Sequence, residues 1–290
     1  MTRLCYAGST LQSTPQSVIS GRAPIQLGAE LFGSNAIEAD SEIIGLMLST
    51  FECAGVSRPL TLDIGHIGIY DALFSDAGLE PEVETQVFDA LQRKSVPDIE
   101  RLSASLPERE AERLARLVSL HGSPDVLASA RAAFPDEPAV MAALDQLDTV
   151  LAGVQRAFPD VGVYVDLTEL RGFRYHTGLV FAVYLEGRGS AVAKGGRYNN
   201  IGAVFGRDRP ATGFAIDLKA LVDDAKQSET TDVPVIAPQS DDAGLQTAVN
   251  VLRSAGRTVV MDVAPGVDLP NAERLISRNG EWIIEEGTSS

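Results

Sequence analysis

From about Tyr70 to about Phe158 almost every stretch of the chain is helix-forming, and strand-like segments lie on both sides of this block. That interruption constrains the fold more than any other feature. Within it, Pro81–Lys94, Val96–Ser105, Glu108–Leu120, Ser123–Ala133 and Ala139–Ala157 have helical character, with prolines and Gly122 at the joins. Such punctuation marks tight turns between short helices. Strand patterns precede the block at Arg3–Ser9, Pro24–Gly33 and Leu60–His66, and resume at Val161–Asp166, Gly178–Tyr184 and Ala191–Lys194, with a helix near Asp217–Ala225. Any sheet built from both sides must close across a helical insertion of residues 70–158. Between the second and third strands, Glu38–Gly55 places Ile43, Ile44, Met47, Leu48 and Phe51 at helical spacing and ends at a glycine. Strands with helices packed on them, joined by loops, make the chain α+β.

A smaller unit follows. The run Asp224–Asp232 contains no apolar residue except Ala225 and reads as a linker. Domains are therefore expected over 1–223 and 233–290. In the second, Val233–Ala237, Leu245–Ala255, Arg257–Asp262, Ala272–Arg278 and Trp282–Glu285 read as strand, helix, strand, helix, strand, a small α/β unit.

Composition excludes several classes. No run of 18 apolar residues suggests a membrane span, and the first residues lack the apolar core of a signal peptide. The two cysteines, Cys5 and Cys53, form no CxxC pair. That excludes a disulfide scaffold and a cysteine-based zinc site, and fits a cytoplasmic location. The net charge of −16 works against binding a phosphate backbone. The C-terminal region is itself acidic: residues 231–290 contain Arg253, Arg257, Arg274 and Arg278 against nine carboxylates and no lysine.

Three segments carry candidate chemistry. Leu170–Phe181 (LRGFRYHTGLVF) crowds Arg171, Arg174, Tyr175 and His176 around a turn bounded by Gly172 and Gly178, Lys194–Tyr198 reads KGGRY, and Ala211–Leu218 reads ATGFAIDL. Taken singly, the first is equally a solvated hairpin, the second a tight turn, and the third a glycine-containing strand entering a helix. His66 reads as structural and His121 as a surface residue.

In order and spacing, RGFRYHTGLVF, KGGRY and ATGFAIDLKAL resemble the histidine-specific region and third class II motif of histidyl-tRNA synthetases. Arg3–Gly33 is similar to that family's second motif and the strand after it. The resemblance covers residues 3–221 and implies a class II aminoacyl-tRNA synthetase-like antiparallel sheet with flanking helices. It begins at Arg3, already inside the second motif, which implies that the first-motif region is missing. The expectation is an exposed strand edge, poor solubility and weak histidine binding.

Departures from the family pattern redirect the function. Gln12 stands where the synthetases carry an α-phosphate arginine, and Ala220 where they carry the third-motif arginine. Without either cation a triphosphate is poorly held. Lys219 lies on a different helical face from Ala220. The amino-acid end is kept: Gln26 and Glu30 match the family's Q-x-G-x-E, on one face of a strand, and Arg171, Tyr175 and Tyr198 keep their places, while His176 replaces a tyrosine. A synthetase-like chain with these losses and an acidic C-terminal unit resembles the regulatory subunits of ATP phosphoribosyltransferase. This implies no catalysis of its own, no cofactor or metal and no tRNA. It also implies a short-form catalytic subunit as partner in a hetero-octamer, and feedback by L-histidine bound at Gln26, Glu30, Arg171, Tyr175, His176 and Tyr198. The alternatives are a divergent histidyl-tRNA synthetase and an amino-acid sensor for another partner.

Overall fold

A computed structural model describes residues 1–11, 23–170, 172, 175–224, 233–262 and 272–285, with backbone alone at 204, 205, 223 and 224. Gln12, Arg171, Arg174 and the linker residues 225–232 lie outside them. The chain divides into two compact units, residues 1–226 and 227–290.

The first unit runs β1 (Thr2–Ser9), β2 (Ile25–Phe32), α1 (Ile37–Cys53), β3 (Leu60–His66), α2 (Ile67–Phe74), α3 (Pro81–Gln92), α4 (Val96–Ser103), α5 (Glu108–Leu117), β4 (His121–Gly122), α6 (Val126–Ala133), α7 (Pro138–Ala157), β5 (Gly162–Asp166), β6 (Leu179–Leu185), β7 (Ala193–Arg197), β8 (Ala211–Asp217) and α8 (Leu218–Asp224). Its strands form one sheet in the order β1-β2-β8-β7-β6-β3-β5-β4. The antiparallel sheet expected from the sequence contains one parallel pair, β3 with β5. Parallel neighbours require a long crossover, and the helical insertion supplies it.

Sheet topology also corrects the reading of Leu170–Phe181 as a hairpin. Strands β5 and β6 lie on opposite sides of β3, so this segment crosses the end of β3. A Cβ at Gly65 would overlap the carbonyl oxygen of Asp166 and lie 3.3 Å from Glu169 Cβ. Glycine is what lets the crossing chain lie so close to the strand.

Helix α1 buries Ile43, Ile44, Met47, Leu48 and Phe51 on the stripe that the periodicity marks. They share a core with Leu31, Leu62, Ile64, Phe214 and Ile216 from one face of the sheet, and with Leu144, Leu147 and Leu151 of α7. Because strand side chains alternate, Gln26, Gly28 and Glu30 fall on the opposite face of β2. A buried ion pair locks α1 to β7. Arg197 donates from Nε and Nη2 to Asp40 at 2.9 and 2.8 Å, and also to the carbonyls of Ser34 and Ala36 at 2.8 and 3.2 Å.

The second unit contains β9 (Val235–Pro238), α9 (Ala243–Ser254), β10 (Val259–Asp262), β11 (Glu273–Arg278) and β12 (Glu281–Glu285), with sheet order β10-β9-β11-β12. The stretch Ala272–Arg278, read from the sequence as a helix, is strand β11, hydrogen-bonded in antiparallel register to β12. The overlooked signal is Asn279-Gly280, a two-residue connection in which both residues take positive φ, 53° and 84°. Asn-Gly is the favoured chemistry for such a hairpin. Val235, Ala237, Leu245, Val249 and Leu275 form this unit's own core.

Candidate functional site

Three glycines shape the face of the sheet that points away from α1. Glu30 of β2 pairs with Gly213 of β8, which pairs in turn with Gly196 of β7. A Cβ at Gly213 would overlap the Glu30 carboxylate, and one at Gly196 would sit 2.7 Å from His176 Nδ1. On β1, Tyr6 is opposite Gly28, and its ring crosses that glycine so closely that a Cβ there would be 2.5 Å from Tyr6 Cζ. The bare strip of backbone lets Tyr6, Glu30 and His176 lie low on the sheet.

Tyrosines complete the arrangement. Tyr198, 8% exposed, follows directly after β7 and donates its phenol proton to Glu30 Oε2 in a short hydrogen bond. Tyr175 stacks on Tyr198 with centroids 4.8 Å apart and meets His176 edge-on at 4.9 Å. The crossing segment is pinned by the amides of Tyr175 and His176, which donate to Gly172 O at 2.7 and 2.8 Å, and by Thr177 N, which donates to Arg197 O at 2.8 Å. Burial pushes the Glu30 carboxyl above its ordinary value, against the Tyr198 hydrogen bond, which lowers it. Burial, then the hydrogen bond and charge of Glu30, push the Tyr198 phenol far upward, so it stays a donor. Burial holds the His176 imidazole below its usual value, so it is neutral near pH 7.

Of the residues marked from the sequence, Glu30, Tyr175, His176 and Tyr198 come together. Gln26 lies on the same face of β2 nearer its start, opposite Gly8 and Asp217. Arg171 is outside the described residues. Tyr6 was not foreseen as a site residue. Its position acquires meaning once the strand register places it over Gly28.

Beside this group, on the far side of His176, a cavity of about 190 Å³ is lined by His176, Asp63, Glu169, Lys194, Val180 and Ala182. Carboxylate oxygens of Asp63, Asp166 and Glu169 lie within 4.8 Å of one another. Lys94 supplies countercharge, donating to Asp166 Oδ2 at 2.6 Å, and Asp166 Oδ1 accepts from Thr168 N and Oγ1. No pattern in the sequence placed Lys94, inside the insertion, against β5.

The remaining histidines divide. His66 is structural: 8% exposed, it caps α2 by accepting from Gly68 N and meets Gln146 of α7 at 3.2 Å. His121, expected at the surface, is half-buried, with Nδ1 2.8 Å from the Tyr164 hydroxyl. The two-residue strand β4 brings it there by pairing with β5. Ala220 packs into the core at 8% exposure, so its position presents no cation to the site face.

The fold and this face define a histidyl-tRNA-synthetase-like protein, and the family model for histidyl-tRNA synthetase matches residues 1–221. A second model, the C-terminal domain of the ATP phosphoribosyltransferase subunit HisZ, matches residues 233–285. The ATP phosphoribosyltransferase regulatory subunit of Marinobacter nauticus is 44% identical over 98% of this chain and 74% of its own length. That of Pseudomonas syringae is 48% identical over 98% and 73%. The chain belongs to the family of ATP phosphoribosyltransferase regulatory subunits. Among solved structures, a regulatory subunit/histidyl-tRNA synthetase from Bacillus halodurans superimposes with a TM-score of 0.75 at 26% identity, covering 92% of this chain and 69% of that one. The ATP phosphoribosyl transferase HisG:HisZ complex from Thermotoga maritima gives 0.60 at 23% identity, covering 74% and 73%. The latter speaks to the fold alone. Among the described residues, no helix is long and apolar enough to cross a membrane.

Proposed function

We propose that this chain catalyses nothing itself and acts on a separate short-form catalytic subunit. It enables that subunit to join ATP and phosphoribosyl pyrophosphate in the first step of histidine biosynthesis, and it carries the site through which L-histidine inhibits. The observation that supports this most is the split between the two ends of the synthetase-like face. The amino-acid end holds Glu30 hydrogen-bonded by Tyr198 under Tyr175, whereas the third-motif position is the buried Ala220. A carboxylate, phenols and the Gln26 amide suit an imidazole and an ammonium, and Arg171 suits a carboxylate. The buried alanine has nothing with which to grip a triphosphate. The acidic second unit argues against a tRNA clamp. The reading places the protein in the cytoplasm, with a hetero-octamer as its assembly.

Calorimetry with L-histidine tests the ligand. Removing one partner of a buried charged hydrogen bond costs about 1.5–3 kcal/mol, roughly 10- to 150-fold in affinity. Glu30→Gln and Arg171→Ala should each weaken binding by such a factor. Unchanged affinity in both variants removes these residues from the site. Histidine-dependent ATP–pyrophosphate exchange clearly above background would restore the synthetase alternative.

A further inference from the structure

Tyr6 and Glu30 belong to one box. Tyr6 comes from β1, Tyr175 from the segment that crosses β3, and Tyr198 from the end of β7, so three elements distant in sequence bring phenols to one carboxylate. Tyr198 donates to Glu30 and stacks on Tyr175. Tyr6 reaches from the opposite side, its hydroxyl 2.6 Å from where a Cβ on Gly28 would stand. Gly28 is two residues before Glu30 on the same face of β2. Burial first, and then the negative charge of Glu30, push the Tyr6 and Tyr175 phenols above their ordinary value, so both stay protonated. Among the described residues Glu30 makes no ion pair. Tyr6 and Tyr175 are 39% and 44% exposed, so the box is open on one side.

A half-buried carboxylate walled by electron-rich rings is suited to a flat cation. The carboxylate supplies the countercharge, and the ring faces add the attraction of their quadrupoles. We propose that Tyr6 is a specificity-determining residue of this site, the aromatic wall that makes it select a protonated, planar ring over a neutral ring of the same shape. The proposal rests on the histidine reading above and deepens it. The imidazole end of the effector enters between Tyr6 and Tyr175 as the imidazolium, hydrogen-bonds to Glu30, and leaves the Tyr198 proton in place. Tyr6 contacts the ligand by its ring face, so the ring matters and the hydroxyl does not.

The test is calorimetry on the full chain with L-histidine, with thienylalanine as the neutral isostere, and with histamine as an imidazolium lacking the carboxylate. Wild type should bind histidine more tightly than thienylalanine. Tyr6→Phe should preserve that preference within a small factor. Tyr6→Ala should lose about 3- to 30-fold in histidine affinity, the range of an aromatic–cation contact, with little change for thienylalanine, so the preference collapses. Equal histidine affinity in wild type and Tyr6→Ala overturns the proposal and leaves the histidine reading standing. Equal losses for both ligands also overturn it, since the wall would then contribute shape alone. Histamine binding that depends on Tyr6, without any histidine binding, retains the box and removes the effector. Tyr6→Phe, which keeps the ring, guards against a folding defect: loss of the preference in that variant contradicts a ring-face contact.

Discussion

Replacing Arg197 by methionine tests how the site is anchored. Arg197 is 6% exposed and Asp40 1% exposed, and the guanidinium also holds the carbonyls of Ser34 and Ala36, at the entry to α1. Removing it strands a buried carboxylate, which costs about 3–5 kcal/mol, a large part of the 5–15 kcal/mol typical of a domain. Thr212 Oγ1 donates to the Gly196 carbonyl rather than to Asp40, and Asp40 Oδ1 has no hydrogen-bond partner among the described residues, which argues for the upper half of that range. Burial already raises the Asp40 carboxyl against the lowering effect of Arg197. Without Arg197 its folded-state value rises further above the unfolded one, so the folded protein takes up a proton more readily and the deficit shrinks as pH falls. In the double variant with Asp40→Ala no charge is left buried, and the loss should be well below the sum of the two single losses. The assay is urea unfolding followed by far-ultraviolet circular dichroism, which is dominated by the helices of the first unit. The sole tryptophan, Trp282, lies in the second unit, and its fluorescence transition should stay put. Additive losses in the double variant, or a deficit that grows toward acid pH, would refute the reasoning.

Other consequences can be checked alongside it. Burial lowers the His66 pKa, so its contribution is complete above the unfolded value near 6.5 and is lost as pH falls through and below it; His66→Gln should flatten that acid-side decline in urea midpoint. Gly280→Val forces a β-branched residue to φ 84° and should destabilise the second unit by about 1–2 kcal/mol, seen as an earlier Trp282 transition with the circular dichroism of the first unit unchanged. Lys94→Met leaves the Asp166 carboxylate, 4% exposed, without its ion-pair partner; the first unit should then unfold at lower urea, and an unchanged urea midpoint would contradict the ion-pair account.

Local chemistry made most of the first unit legible before its coordinates. The stripe on α1, the strand alternation through Gln26 and Glu30, and the proline-punctuated insertion all describe interactions between near neighbours. Strand order was not legible in this way. That β5 and β6 flank β3, and that Asp166 and Glu169 lie close over Gly65, follows from pairings far apart in sequence. The same limit hid Tyr6, whose position depends on the hairpin register, and His121, carried under Tyr164 by a two-residue strand. At β11 the failure was local: the helical-looking stretch Ala272–Arg278 was decided by the Asn-Gly that follows it and by pairing with β12. Of the candidate site, Glu30, Tyr175, His176 and Tyr198 could be assembled from motif resemblance. The glycines that seat them owe their meaning to the sheet.

The most direct test of the account is activity in trans. The purified chain is mixed with a short-form ATP phosphoribosyltransferase catalytic subunit, complex formation is verified by gel filtration, and phosphoribosyl-ATP formation is followed with and without L-histidine. The account predicts no product from this chain alone and strong stimulation of the catalytic subunit. It further predicts inhibition by histidine that is weakened about 10- to 150-fold by Glu30→Gln. A verified complex that shows no stimulation, or stimulation with histidine inhibition unchanged in Glu30→Gln, would contradict it.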